Sequence, residues 1–256
     1  MEKLRKTDYL PHLNQLQALS NTEQEQQLKN SLIQSTPGQF WPDGMPASVD
    51  PKLIFIGVTM GGGEPEPQGT ANTEDDYISE PTAIKPRNSW FYHSGNREFW
   101  GKLRFLSHSF FQKNVPGISE EEALSLTTHF NLGIGSARKA TDNDIEEDYV
   151  KWVSQLLNST HSPDLVILFG LRGKLANQEK AKWWNHDKGL YVDWREPNES
   201  IQFTGYANGG YSFKEWSMVN SNGHPIRLVM WPNHPSRLFG TAWENSVNKY
   251  ISYLFD

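Results

Sequence analysis

Asn233-His234-Pro235-Ser236 concentrates more potential chemistry than any other four residues of this chain, and it ends the apolar run Arg227-Leu-Val-Met-Trp231. Pro232 and Pro235 stiffen the backbone on both sides of Asn233-His234. A histidine held there can stabilise negative charge that develops on a leaving group, and Ser236 can reach a phosphate. The plainer reading is a turn histidine with no ligand. Two upstream segments share this build. Leu53-Ile-Phe-Ile-Gly57 runs into Val58-Thr59-Met60-Gly61-Gly62-Gly63, and Thr128-His-Phe-Asn131 runs into Leu-Gly-Ile134. Consecutive glycines let the backbone approach a ligand closely, and their amides can hold an anion or a carbonyl. Alone, that segment reads equally well as a flexible turn. Asn131 offers an amide donor and a carbonyl acceptor, which suits the edge of a pyrimidine. Alone, a buried asparagine with its hydrogen bonds satisfied is the commoner case.

Several chemistries are excluded. With no cysteine, the chain has no disulfide, no thiolate nucleophile and no Cys-ligated zinc or iron–sulfur cluster. The glycines after Ile56 have neither dinucleotide-binding spacing nor the Gly-Lys-Ser/Thr of a nucleotide-binding loop. Ser236 follows a proline, and no Gly-x-Ser-x-Gly elbow of a serine hydrolase occurs. The eight histidines are scattered, without helical His-x-x-x-His spacing, so neither metal nor other cofactor is expected. A net charge of -6 argues against a generic nucleic-acid binder, although a basic strip on an acidic body is compatible with it. No apolar run approaches a membrane span, and no signal-type apolar stretch follows Met1-Glu-Lys-Leu-Arg5. A cytoplasmic protein is expected. Most of the ten tryptophans are expected to serve packing.

The elements that must position these residues follow from periodicity. Leu13, Leu16 and Leu19 predict one or two amphipathic helices within residues 1–36. This N-terminal extension (1–45) is expected to pack on the main domain, 46–256. Continuous apolar runs predict buried strands over 53–58, 127–134, 164–170 and 227–231. Phe99, Leu103, Leu106 and Phe110 predict a helix over 96–113. Thr141-Asp-Asn-Asp144 caps a further helix carrying Ile145, Val150, Val153, Leu156 and Leu157. Another helix begins near Arg172, and a last one spans 241–254. Residues 64–94 read as a long loop, a class usually functional or disordered. Residues 184–225 read as an insertion of short strands or hairpins. Strand–helix alternation predicts an α/β fold with a parallel sheet covered on both faces.

Five of these segments, in order, resemble motifs of the uracil-DNA glycosylase superfamily, closest to its mismatch-specific (thymine/uracil) branch, over roughly residues 50–254. Gly57-Val-Thr-Met-Gly61 is similar to a first motif that reads Gly-Ile-Asn-Pro-Gly in that branch. Gly95-Asn96-Arg-Glu-Phe99-Trp100-Gly-Lys102 resembles its Asn-x-Phe-Trp-Lys helix start, with one extra residue. Phe130-Asn131-Leu-Gly-Ile134 resembles the strand whose asparagine reads the flipped base. Pro163-Asp-Leu-Val-Ile-Leu-Phe-Gly170 looks like the next core strand. Asn233-His234-Pro235-Ser236 resembles the last motif, in which histidine contacts the base carbonyl and serine a phosphate.

The resemblance implies a three-layer α/β/α sandwich with a central, mainly parallel four-stranded sheet. It also implies a monomeric, monofunctional enzyme that flips a nucleotide out of DNA and hydrolyses its N-glycosidic bond. The implied base-binding residues are Asn131, Gly57 and Met60, with an aromatic partner drawn from Trp90, Phe91 and Tyr92. DNA contacts fall to Gly61, Gly62, Asn96, Arg138, Lys139 and Ser236, with Arg237 and Leu238 at the position of the family's duplex wedge. His234 would face the departing base.

One departure matters. Thr59 stands where the family has an Asp or Asn that orients the attacking water, and threonine is a poor base. Either a loop carboxylate takes the role (Glu64 first, then Asp75, with Glu66 and Asp76 also available), or catalysis is slow or absent. Insertions beside the inferred pocket favour a modified or enlarged pyrimidine, a substrate class that some relatives attack in phage genomes. Two other readings remain open: an ordinary uracil or mismatch glycosylase of base-excision repair, and a catalytically silent DNA-binding protein.

Overall fold

The computed structural model describes residues 4, 6–18, 51–57, 99–131, 163–169, 191–193, 202–203, 211–212, 214–219, 222–231, 235 and 241–255. In chain order the elements are α1 (Leu10–Ala18), β1 (Leu53–Gly57), α2 (Phe99–Asn114), α3 (Glu120–Ser125), β2 (Thr127–Asn131), β3 (Leu165–Leu168), β4 (Tyr191–Asp193), β5 (Gln202–Phe203), β6 (Tyr211–Ser212), β7 (Lys214–Val219), β8 (Pro225–Met230) and α4 (Ala242–Phe255).

The protein is an α/β structure around one sheet with strand order β2-β1-β3-β8-β7-β4. β2, β1, β3 and β8 run parallel. β7 and β4 then join antiparallel, so the sheet has six strands rather than the four expected from sequence. Two of them come from the stretch read as an insertion, 184–225, whose β5 and β6 form a separate two-stranded ribbon. The antiparallel return into β8 turns at Asn222-Gly223. Gly223 has φ +77, a left-handed conformation that costs glycine little and other residues more.

Sheet burial explains the apolar runs. Leu53, Phe55, Leu165, Ile167, Phe169, Val229 and Trp231 pack with Leu103, Leu106 and Phe110 of α2 and Trp243, Val247, Tyr250 and Leu254 of α4. On alternate positions Ile54, Ile56, Val166, Leu168, Ile226, Leu228 and Met230 are buried too. Strands buried on both faces must be apolar throughout, which is why they are conspicuous in sequence. Trp231 and Trp243 are 1% exposed, so packing is the role of both. α3 starts with a reciprocal cap: the Glu122 amide donates to Ser119 Oγ (3.2 Å), and the Ser119 amide donates to Glu122 Oε2 (2.8 Å). That Ser-x-x-Glu signal is in the sequence, but the helix it opens is too short to show periodicity. The helices expected after Thr141 and near Arg172 lie outside the described residues.

The amino-terminal edge of the sheet is closed by polar contacts. Tyr9, just before α1, is 2% exposed and belongs to the core with Leu13. Its hydroxyl donates to Asp164, which also pairs with His224 Nε2 at 3.2 Å. The Leu4 amide donates to the Leu254 carbonyl at 2.8 Å. On the β7 side, Glu215 is 1% exposed and accepts from the hydroxyls of Tyr250 (2.6 Å) and Tyr253 (3.3 Å), joining β7 to α4.

Burial, and then the Asp164 carboxylate beside it, raise the Tyr9 phenol far above the ordinary tyrosine range. The folded state therefore keeps this proton where the unfolded chain releases it. The resulting stability is complete below the unfolded value of about 10 and is lost as pH rises above it. Urea midpoints will accordingly fall between about pH 8 and about pH 11, and Tyr9→Phe will fall less steeply because phenylalanine cannot ionise. Equal slopes for the two proteins would assign the alkaline loss to other groups.

Candidate functional site

Because β2, β1, β3 and β8 are parallel, all four end at one edge, and they end there in register. Gly57 pairs with Asn131 across β1 and β2. The ladder continues to the edge on the other side: the Phe169 amide donates to the Ile56 carbonyl (2.8 Å), and the Trp231 amide donates to the Leu168 carbonyl (2.9 Å). In sequence, β1 leads to β2 on one side, whereas β3 leads to β8 on the other. The crevice between β1 and β3 is thus the topological switch point, the place where open α/β sheets bind ligands beyond their carboxyl ends. Gly57 borders it, and Asn131 ends the strand next to Gly57.

The loop carrying Asn233-His234-Pro235-Ser236 leaves the same edge after β8. Its two ends are brought together by Trp231 and Trp243, whose ring centroids lie 5.2 Å apart. Within it Pro235 is buried. Lys102, in the first turns of α2, is 2% exposed and donates from Nζ to the Pro235 carbonyl at 2.6 Å. Trp243 Nε1 in turn donates to the Lys102 carbonyl at 3.0 Å. Burial pushes the Lys102 ammonium below the ordinary lysine range. A buried cation is tolerated only with acceptors around it, and this carbonyl is one. Lys102 closes the Gly95–Lys102 motif in the sequence, but sequence reading assigned it no role in the site. Its signal was a lysine three residues after Phe99 and four before Leu106, inside an apolar helical stripe.

Of the residues proposed from sequence, Gly57 and the backbone of Asn131 meet at the carboxyl edge. Thr59, Met60, Gly61, Gly62, Glu64, Asp75, Phe91, Tyr92, Asn96, Arg138, Lys139, His234, Ser236, Arg237 and Leu238 lie outside the described residues. His234 and Ser236 are each one peptide bond from the buried Pro235. Among the described residues there is no group of three or more histidines and carboxylates able to hold a metal ion. No helix among them is long and apolar enough to cross a membrane.

No family model, curated protein or solved structure matches this chain.

Proposed function

We propose that this protein is a monofunctional DNA glycosylase that extrudes a modified or enlarged pyrimidine nucleotide and hydrolyses its N-glycosidic bond, leaving an abasic site. The observation that carries this reading is the placement of three motif-bearing chain segments at one edge. Gly57 and Asn131 are register partners beside the switch point, and the Asn-His-Pro-Ser loop leaves that edge tethered at Pro235. Water adds to the sugar C1′, the C1′–N bond breaks with its electron pair going to the base, and the base nitrogen is then protonated. Neutral donors around an excluded pocket suit a leaving group that departs as an anion. The four parallel strands with helices against them are compatible with the three-layer glycosylase architecture that the motifs imply. The reading further entails a monomer acting on DNA in the cytoplasm, with defence against phage carrying modified DNA as the fitting role.

The test is incubation with DNA duplexes and single strands bearing uracil, mismatched thymine or enlarged pyrimidines, scored for abasic sites by alkaline cleavage. Excision of an enlarged pyrimidine in preference to uracil supports the proposal. Preference for uracil or mismatched thymine makes it an ordinary repair glycosylase. Binding without abasic sites on any substrate makes it a silent DNA-binding protein, the outcome Thr59 most favours. Asn131→Ala will excise more slowly at unchanged thermal stability. Leaving the polar edge of the base unpaired costs about 1–3 kcal/mol, which corresponds to about a 5- to 150-fold loss of rate. Wild-type excision by a folded Asn131→Ala protein removes Asn131 from base reading.

A further inference from the structure

We propose that Lys102 is a positioning residue for the site, holding the Asn233–Ser236 loop at the carboxyl edge through the Pro235 carbonyl. The inference rests on the glycosylase reading for what the loop does, but on geometry alone for what holds it.

Three observations combine. The loop from β8 to α4 is closed at its base by the Trp231–Trp243 ring contact, which fixes where it starts and ends but not the path between. Pro235 is buried partway along that path, and the Lys102 contact there is short, at 2.6 Å. Lys102 is itself anchored from α4, because Trp243 Nε1 donates to its carbonyl at 3.0 Å. One lysine thus couples α2, the loop and α4. Proline has no amide hydrogen and cannot donate to the sheet or a turn, so its carbonyl is its only main-chain hydrogen-bonding group, and Lys102 occupies it. A buried backbone carbonyl outside a ladder must find a partner in the backbone, a side chain or water, and here a lysine from another element supplies it.

The consequence is local. His234 precedes Pro235 directly, and displacing a reacting group by about 1 Å can cost about 10²-fold in rate. Lys102 does not itself touch the reacting atoms in this scheme. Its ammonium sets where the next residue is.

The experiment compares Lys102→Met, which keeps an apolar stem without a donor, with Lys102→Arg, which restores a cationic donor. Three readouts are taken on the full chain: single-turnover excision on the best substrate of the panel, equilibrium binding to the same DNA, and hydrogen–deuterium exchange of peptides covering 232–240. Lys102→Met is expected to lose about 10- to 100-fold in single-turnover rate with little change in DNA affinity. Its exchange will quicken in 232–240 and stay at the wild-type level in β1 and β3. Lys102→Arg is expected to recover most of both. Wild-type exchange in 232–240 for Lys102→Met overturns the tether. Faster exchange there with an unchanged excision rate overturns the positioning role. Faster exchange throughout the core, unrescued by arginine, makes Lys102 a general packing residue and also overturns it. If the wild-type protein excises no base, the glycosylase reading fails, while exchange in 232–240 still decides whether Lys102 holds the loop. Should Lys102→Met not fold, Lys102→Gln takes its place with the same outcomes, because its shorter stem falls short of the Pro235 carbonyl.

Discussion

Glu64→Gln will lower the single-turnover rate of base excision by about 10²–10⁴-fold, the usual contribution of a general base, with DNA affinity nearly unchanged. Under the proposed reaction a water must lose a proton as it attacks the sugar, and a carboxylate both accepts that proton and faces the positive charge developing on the ring. Thr59, at the position where the resembled family keeps an acidic or amide side chain, can hold a water but is a poor base. β1 ends at Gly57, at the carboxyl edge of the parallel strands, and Glu64 is the first carboxylate after it in sequence. Pro65 restricts Glu64 to extended backbone conformations. Glutamine retains the shape and the hydrogen bonding and removes the charge, so a large loss isolates the base role. Wild-type rates in Glu64→Gln beside an inactive Asp75 or Asp76 variant would move the role along the loop. Wild-type rates in all of them would leave the water to Thr59.

His234→Ala is expected to reduce the single-turnover rate by about 10²–10³-fold, as removal of one donor to a developing anion typically does. Under the proposed reaction its DNA affinity should change far less, since a contact to the leaving base would strengthen only as the base departs. His234 is covalently next to Pro235, which is buried and held by Lys102 Nζ. In that reaction, a donor next to such a fixed backbone point would be preorganised for the moment of bond cleavage. Measurements with enzyme in excess over DNA separate the two effects. A fall in affinity with an unchanged single-turnover rate makes His234 a binding residue only.

Much of the sheet was legible because its chemistry is uniform. Leu53–Ile56, Leu165–Leu168 and Leu228–Met230 are buried on both faces and are apolar in unbroken runs. α2 and α4 were legible because their buried positions recur at helical spacing. β7 was not. Its Glu215 is a carboxylate at a fully buried position, satisfied by Tyr250 and Tyr253, and a charge there breaks the apolar signature that marks a strand. Those hydroxyls lie 35 and 38 residues away, so nothing local announces the compensation.

The sequence by itself marked the four parallel strands, predicted an α/β sheet, and named residues beyond those strand ends that have the chemistry of a site. Those properties are set by side-chain polarity and backbone preference at neighbouring positions. Only the tertiary structure decided that β2, β1, β3 and β8 stand in that order, which places Gly57 opposite Asn131 and opens the switch point between β1 and β3. It alone decided that Lys102 reaches Pro235 across 133 residues of chain. Strand order and such a contact depend on which buried surfaces meet after the chain has folded, and a pairing between distant positions leaves no trace in the local pattern of either.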